Sequence, residues 1–442
     1  MSSTRRRTVR LLAVLAWVFG ASVLEAQARE TAAATLIEHR LIGLYELPDA
    51  TPLFIWSSDG TRLVFAFGDG EIRGLAREGD GWIYGASLGV TSPPQGGLRF
   101  ELPANGPATA VAWTVNGSAP RTARRVALRE RETTFVSKGA TLAGTIIAPA
   151  GAMRGGIVFL HGSGAETRDG SRVFAYLMAQ HGIASLIFDK RGTGRSGGRF
   201  ASASFAELAT DALGAMAALR REPGMRSVPV GLFGPSQGAW IALEATRMAP
   251  DIGFLVLQSG DATSPLEQEM HRGAELLRRG TKLNEEEIRA AVNFRRQKFL
   301  YAITGDGKRE YERALEGARR EAWFANIGDK LPDTEFWKPN GLYDPMPALT
   351  AYRGPVLAVF GARDGSKDVE RNAQLMRDAF ARAANTRASV VVMPNANHAI
   401  FETFTGLPLE RELPALHRIA PEYLSLLTDW VGRVTEPAVS RR

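Results

Sequence analysis

The chain contains no cysteine. No disulfide braces it and no thiolate is available as a nucleophile, a composition that an oxidising compartment tolerates without requiring. Histidine is scarce, six in 442 residues, and the histidines and carboxylates show no metal-ligand spacing, so neither a metal nor another cofactor is expected. Basic blocks are missing beyond the first residues. Four arginines and Glu25 within residues 1–28 carry +3 of the formal +7, and the +4 left makes no case for a nucleic acid or a membrane surface as partner. The basic, glycine-rich stretch Asp189 to Gly197 lacks a Walker pattern and opens no helix with Gly-x-Gly-x-x-Gly, so it reads as a structural turn and not as a phosphate cradle.

What stands at the start reads as an export signal. Arg5, Arg6, Arg7 and Arg10 form a basic segment, Leu11 to Leu24 an apolar core, and Ala26-Gln27-Ala28 a small-residue cleavage site. The apolar run falls short of the roughly 20 residues that span a bilayer, which favours a cleaved signal over a retained anchor. The mature chain is therefore expected to be exported, periplasmic or secreted, without stable membrane insertion. Thr4 to Arg10 partly resembles a twin-arginine signal that lacks its aromatic, so the export route stays open.

Residues 29–131 read as a small β-rich domain. Asp59-Gly60, Asp69-Gly70, Asp80-Gly81 and Asn116-Gly117 are hairpin-type dipeptides separated by Leu53 to Trp56, Leu63 to Phe67, Trp82 to Tyr84 and Val111 to Val115. An antiparallel sheet or small barrel is expected, a packing or interaction module more than a second active site. Residues 132–433 change rhythm. Strands at Thr133 to Val136, Leu142 to Ala148, Gly156 to Leu160, Ala184 to Phe188, Val228 to Phe233, Gly253 to Gln258, Val356 to Phe360 and Ser389 to Met393 alternate with helices at Phe174 to His181, Phe205 to Arg221 and Gln237 to Met248. Such alternation predicts a mostly parallel sheet covered on both faces, with ligands at the carboxyl ends of its strands. Residues 434–442 read as a flexible tail.

A helical insertion at about 261–345 separates two of these strands. Ser264 with Pro265 starts one helix, Asn284 with Glu287 makes a capping box for another, and Lys308 to Phe324 reads as a third. Fifteen basic and fifteen acidic residues between Asp261 and Asn340 indicate solvated faces. This insertion is expected to cap the site. Its aromatics Trp323, Phe324, Phe336 and Trp337 either line an apolar acyl pocket or form the cap's own core.

The chemistry centres on Gly234-Pro235-Ser236-Gln237-Gly238. An apolar run leads into it and strong helix formers follow, the strand, turn and helix order of a nucleophile elbow. Gly194-Arg195-Ser196-Gly197-Gly198 also fits Gly-x-Ser-x-Gly but lies inside a loop with no strand running into it. A serine hydroxyl needs a base, and the base an orienting acid. His398, in the loop after the last apolar strand, is the expected base; Asp364, after Val356 to Phe360, is the expected acid, preferred to Asp368, which suits a helix start. The backbone amides of Gln237 and Ser163 are the expected oxyanion donors.

Taken together, His161-Gly162-Ser163-Gly164, the Asp189 to Gly197 loop, the Ser236 elbow, Gly361 to Asp364 and Asn397-His398 resemble the α/β-hydrolase superfamily over residues from about 133 to 433. The resemblance implies an α/β-hydrolase fold with a mostly parallel eight-stranded sheet and a helical cap, here preceded by the β-rich domain. Within the superfamily the chain is similar to exported serine hydrolases related to serine aminopeptidase-like and dienelactone-hydrolase-like proteins, many of them esterases. Dienelactone hydrolases carry a cysteine nucleophile and haloalkane dehalogenases an aspartate, so the serine here implies hydrolysis through an acyl-enzyme. Tyr343-Asp344-Pro345 also resembles these relatives, as the re-entry from the cap. Prolyl peptidases usually carry a bulky aromatic after the nucleophile, where this chain has Gln237.

Three readings follow. The first is a carboxylic-ester hydrolase acting on a small-molecule ester. The second is an aminopeptidase or dipeptidyl-peptidase-like serine peptidase acting on a short peptide, with Glu267, Glu269 and Glu285 to Glu287 available to hold a free amine. The third is a binding protein built on the β-rich region with a vestigial hydrolase domain.

Overall fold

The computed structural model describes residues 39–57, 63–88, 93–406 and 416–436. The expected export signal, the Asp59-Gly60 turn and residues 437–442 lie outside these. The main sheet has eight strands in the spatial order Leu128–Ser137, Ala140–Pro149, Ile183–Phe188, Gly155–Phe159, Val230–Pro235, Leu255–Gln258, Val356–Gly361 and Ala388–Met393. The first two pairings are antiparallel and the rest parallel. Gly155–Phe159, Ile183–Phe188, Leu255–Gln258 and Val356–Gly361 are buried along their whole length, as parallel strands covered on both faces must be. Arg172–Gln180 and Pro421–Val434 cover one face; Phe205–Arg220, Gln237–Met248 and Val369–Arg382 cover the other.

The pairing of Leu128–Ser137 with Ala140–Pro149 begins at Leu128, ahead of the expected domain start at 132. Arg129, Glu130, Arg131 and Glu132 disguise this stretch as a linker. It is an edge strand, where alternating charges guard against pairing with another chain.

The N-terminal sheet is larger than its sequence suggested, with nine antiparallel strands where four were expected. Gly43–Glu46, Ile72–Gly74, Ala76–Glu78, Gly96–Glu101 and Arg121–Arg125 escaped notice because they are short or carry arginines and glycines in place of an apolar run. Its two end strands, Ile72–Gly74 and Ala76–Glu78, are joined by Leu75 alone, so the sheet must roll back on itself. Glu78 pairs with Gly81, which makes Gly79-Asp80 the turn in place of the expected Asp80-Gly81. Its core is continuous with one face of the main domain: Phe54, Phe65 and Tyr45 belong to the same buried cluster as Tyr176 and Tyr423.

The cap helices are Pro265–Gly280, Glu285–Thr304, Lys308–Ala318, Phe324–Ile327 and Thr334–Asn340. Ser264 accepts from the Glu267 amide, and Asn284 and Glu287 form the expected reciprocal capping box. The expected single helix from Lys308 to Phe324 breaks after Ala318, because Trp323 turns inward and is buried. Trp323 and Phe324 lie 5.8 and 6.0 Å from Phe294, and Trp337 lies 4.7 Å from Phe299. These aromatics are the cap's own core. Phe336 faces Phe205 of the main domain at 6.3 Å and belongs to the seam. Among the described residues no helix is long and apolar enough to cross a membrane.

One contact joins the two sheets close to the carboxyl edge of the main one. The Ile419 amide donates to Gly70, the Ile72 amide to His417, and the Ala420 amide to Ile400. Gly70 has φ 88°, and a Cβ there would meet the Ile419 carbonyl oxygen at 2.6 Å; Gly106 has the same φ with open space around it. Gly106→Ala is expected to cost about 1 kcal/mol for its backbone alone. Gly70→Ala should cost a further ~1–3 kcal/mol of overpacking, a difference read by comparing the urea unfolding midpoints of the two variants.

Candidate active site

The site is built at the carboxyl end of Val230–Pro235. Ser236 stands between strand and helix with φ 51° and ψ −115°, a left-handed φ uncommon for a residue with a side chain. A Cβ on Gly234 would meet the Gly238 carbonyl oxygen at 2.3 Å, and one on Gly238 would meet the His161 carbonyl oxygen at 2.9 Å. The turn therefore closes only with glycine at both places. The Ser236 amide donates to Gln258 at 2.8 Å, and Ser236 accepts from the Ala239 amide at 3.0 Å. The side chain is thereby turned out of the strand.

His398 lies in the loop that follows Ala388–Met393. Its Nδ1 is 2.6 Å from Asp364 Oδ2, while Oδ1 of the same carboxylate accepts from the Ser366 amide at 2.9 Å and the Ser366 hydroxyl at 2.6 Å. A neutral imidazole donating from Nδ1 keeps Nε2 as a lone-pair acceptor, the tautomer a general base requires. The Asp364 side chain is 1 % exposed and that of His398 40 %. Burial raises the Asp364 carboxyl, but the bonds from His398 and Ser366 outweigh it and hold it below the usual carboxylate range. Asp368 does not reach this pair; it accepts from the Arg371 amide at the start of Val369–Arg382.

Two consecutive residues at the end of Leu255–Gln258 bring serine and histidine to one edge. Gln258 accepts from the Ser236 amide, and the Ser259 hydroxyl donates to the His398 carbonyl at 2.8 Å. Among the described residues neither Ser236 Oγ nor His398 Nε2 makes a hydrogen bond, and the amides of Ser163 and Gln237 have no acceptor. Two unengaged amides flanking a turned-out serine are what an oxyanion site needs.

Four charged residues near the site went unnoticed in the sequence. Lys190 is 2 % exposed, and its Nζ donates to Gly162 O, Gly164 O and Gln237 Oε1. Glu166 accepts from the Gly162 amide. Asp261 and Lys367 form an ion pair buried completely beside Asp364 and His398. Burial pushes the Asp261 carboxyl up, and the Lys367 ammonium opposes this. Lys190 and Asp261 stand two and three residues past the ends of strands and Lys367 three past Asp364, so a charged residue shortly after an apolar run was the available signal. His161 is structural as expected: its Nε2 lies 2.6 Å from the Phe188 carbonyl, and burial lowers its pKa to about 4.

Four of the five cap glutamates offered for a free amine are engaged, and Glu286 is exposed. Glu267 pairs with Arg296, Glu269 with Arg272 and Arg295, and Glu285 with Arg278, while Glu287 closes the capping box. A cleft of about 760 Å³ between the two sheets, lined by Phe67, Trp113, Arg121 and Leu424, does not include the Ser236 group.

Sheet order, elbow and the loops that carry Asp364 and His398 have the arrangement of the α/β-hydrolase fold. Within that class, residues 151–289 match the family described as serine aminopeptidase, S33. Similar solved structures include an esterase of Pyrococcus furiosus, 16 % identical, covering 70 % of this chain and 92 % of its own, with a TM-score of 0.45. A proline iminopeptidase of Mycobacterium smegmatis is 14 % identical over 69 % of this chain and 99 % of its own, with a TM-score of 0.43. A dienelactone hydrolase of Anabaena variabilis is 17 % identical over 69 % and 98 %, with a TM-score of 0.39. No curated protein matches the chain. Superpositions this loose assign no substrate.

Asp364 links stability to pH in acid. A carboxyl whose folded pKa lies below its unfolded value of about 3.9 stabilises fully above that value and loses this contribution as pH falls toward the folded pKa. Asp364→Asn should therefore flatten the loss of stability between about pH 5 and 3, while Asp368→Ala should cost about 1 kcal/mol at neutral pH through the lost cap. Urea midpoints across that pH range and at neutral pH test both.

Proposed function

We propose that this protein is a serine hydrolase of carboxylic esters that works through an acyl-enzyme on Ser236. The observation that carries the proposal is the 2.6 Å pairing of His398 with buried Asp364 at the sheet edge where Ser236 is turned out of its strand. His398 Nε2 takes the hydroxyl proton as Oγ attacks the ester carbonyl, then returns it to the departing alkoxide; water repeats the sequence on the acyl-enzyme. Asp364 holds the ring and stabilises the imidazolium. The Ser163 and Gln237 amides bind the tetrahedral oxyanion, each contributing about 3 kcal/mol to the transition state.

An ester is favoured over a peptide amine because three of the cap carboxylates that would bind a free amine, Glu267, Glu269 and Glu285, already pair with arginines. The substrate is a small-molecule ester met after export, in keeping with the signal-like residues 1–28.

The test is hydrolysis of short- and long-chain p-nitrophenyl esters alongside an aminoacyl p-nitroanilide panel. Ester turnover should dominate. Ser236→Ala and His398→Ala should each lower kcat/KM on the order of 10⁴-fold or more, and Asp364→Asn about 10³–10⁴-fold. Dominant anilide cleavage would move the assignment to a peptidase, and turnover surviving in Ser236→Ala would remove the nucleophile.

A further inference from the structure

Lys190 is an ammonium buried where no carboxylate meets it. Its three donors are spent on neutral oxygens, Gly162 O at 2.7 Å, Gly164 O at 3.1 Å and Gln237 Oε1 at 2.9 Å, and it lies 5.2 Å from the centre of the Phe200 ring. Among the described residues it makes no ion pair; the charge it feels is that of Glu166, which is itself bonded to the Gly162 amide. Burying an unpaired cation costs several kcal/mol. A neutral side chain could satisfy two carbonyls at lower cost, so the charge itself calls for a use.

The three acceptors supply one. Gly162 O belongs to the same peptide unit as the Ser163 N–H, so an ammonium on that oxygen draws electron density through the peptide and makes the N–H a stronger donor. Gln237 carries the second unengaged amide, and its side chain is held by the same Nζ. One group thus bonds to the residues on which both unengaged amides depend. Resting on the acyl-enzyme reading, we propose that Lys190 is the positioning residue of the oxyanion site: its ammonium clamps the Gly162–Gly164 loop to Gln237 and polarises the Gly162–Ser163 peptide toward the developing negative charge. Burial lowers the ammonium to about 8, against the pull of Glu166, so it is mostly charged at neutral pH.

The proposal separates binding from chemistry. The ground-state ester carries no charge on its carbonyl oxygen and the tetrahedral intermediate does, so losing the cation should slow turnover without weakening substrate binding. The backbone contacts Lys190 N to Glu166 O at 3.1 Å and Thr193 Oγ1 to Glu166 O at 2.8 Å keep the loop attached without the side chain. Lys190→Met, Lys190→Gln and Lys190→Arg would be compared in the full-length protein on p-nitrophenyl butyrate, with an alkyl trifluoromethyl ketone as an oxyanion-forming inhibitor and thermal melts to verify folding. Lys190→Met and Lys190→Gln are expected to lose on the order of 10²-fold in kcat with KM changed less than about threefold, and to weaken the ketone by a similar factor, while Lys190→Arg recovers part of both. If Lys190→Met does not fold, Lys190→Gln carries the comparison. A folded neutral variant with unchanged kcat and ketone affinity, or losses that appear in KM alone, would overturn the proposal. Ser236→Ala measured in parallel keeps the two readings apart: activity that depends on Ser236 but ignores Lys190 leaves the nucleophile standing and removes only the clamp.

Discussion

The backbone of one residue governs the site. Ser236 holds a left-handed φ at a cost on the order of 1–3 kcal/mol, and it keeps that conformation because both flanks are anchored. Before it, Pro235 pairs with Gln258 inside the sheet; after it, Gln237–Met248 buries Ala239, Trp240, Ile241 and Leu243 against the same sheet. A strand that had to run on or a helix free to slide would release the strain and turn the hydroxyl inward. The packing of the parallel sheet is thus what stores the reactive geometry.

Charges buried around that edge do a second kind of work. Arg168 with Asp189, Arg191 with Asp211, and Lys367 with Asp261 are nearly inaccessible pairs, each with at least one member in a loop that leaves a strand. Such pairs are weak sources of stability, since desolvation consumes most of their attraction, but removing one member strands the other. Their effect is to give each loop one arrangement. The Asp189 to Gly197 stretch is a structural turn as its sequence suggested, with Asp189 accepting from Arg168 and from the Arg195 amide. Lys190 departs from that pattern by leaving the turn and reaching the Ser236 neighbourhood.

The N-terminal sheet is no loose appendage. Its core merges with the Arg172–Gln180 face of the main domain. Through Gly70 and Ile72 it also holds residues 417–419, whose neighbour Ala420 bonds to Ile400, two positions beyond His398. Ile400 is a buried β-branched residue at φ 59°, a conformation that persists only where its surroundings over-determine it. The His398 loop is thereby braced from a part of the chain far away in sequence.

What the sequence by itself determined is whatever depends on local grammar. Apolar runs at the period of a covered parallel sheet, Ser264 and the Asn284–Glu287 box, and glycines at positions 234 and 238 each report a nearest-neighbour constraint, and the structure places them as read. The order of serine, acid and histidine along the chain was legible for the same reason. Only the tertiary structure decided that Asp364 and not Asp368 meets His398, that the cap aromatics pack on one another, and that Glu267, Glu269 and Glu285 of the cap are taken by arginines. The nine-stranded sheet with its charged strands and the bonds of Lys190 to two loops belong with these. Each of these depends on groups distant in the chain meeting in a medium of low dielectric, where a partner's position sets a charge's meaning and no local pattern records it.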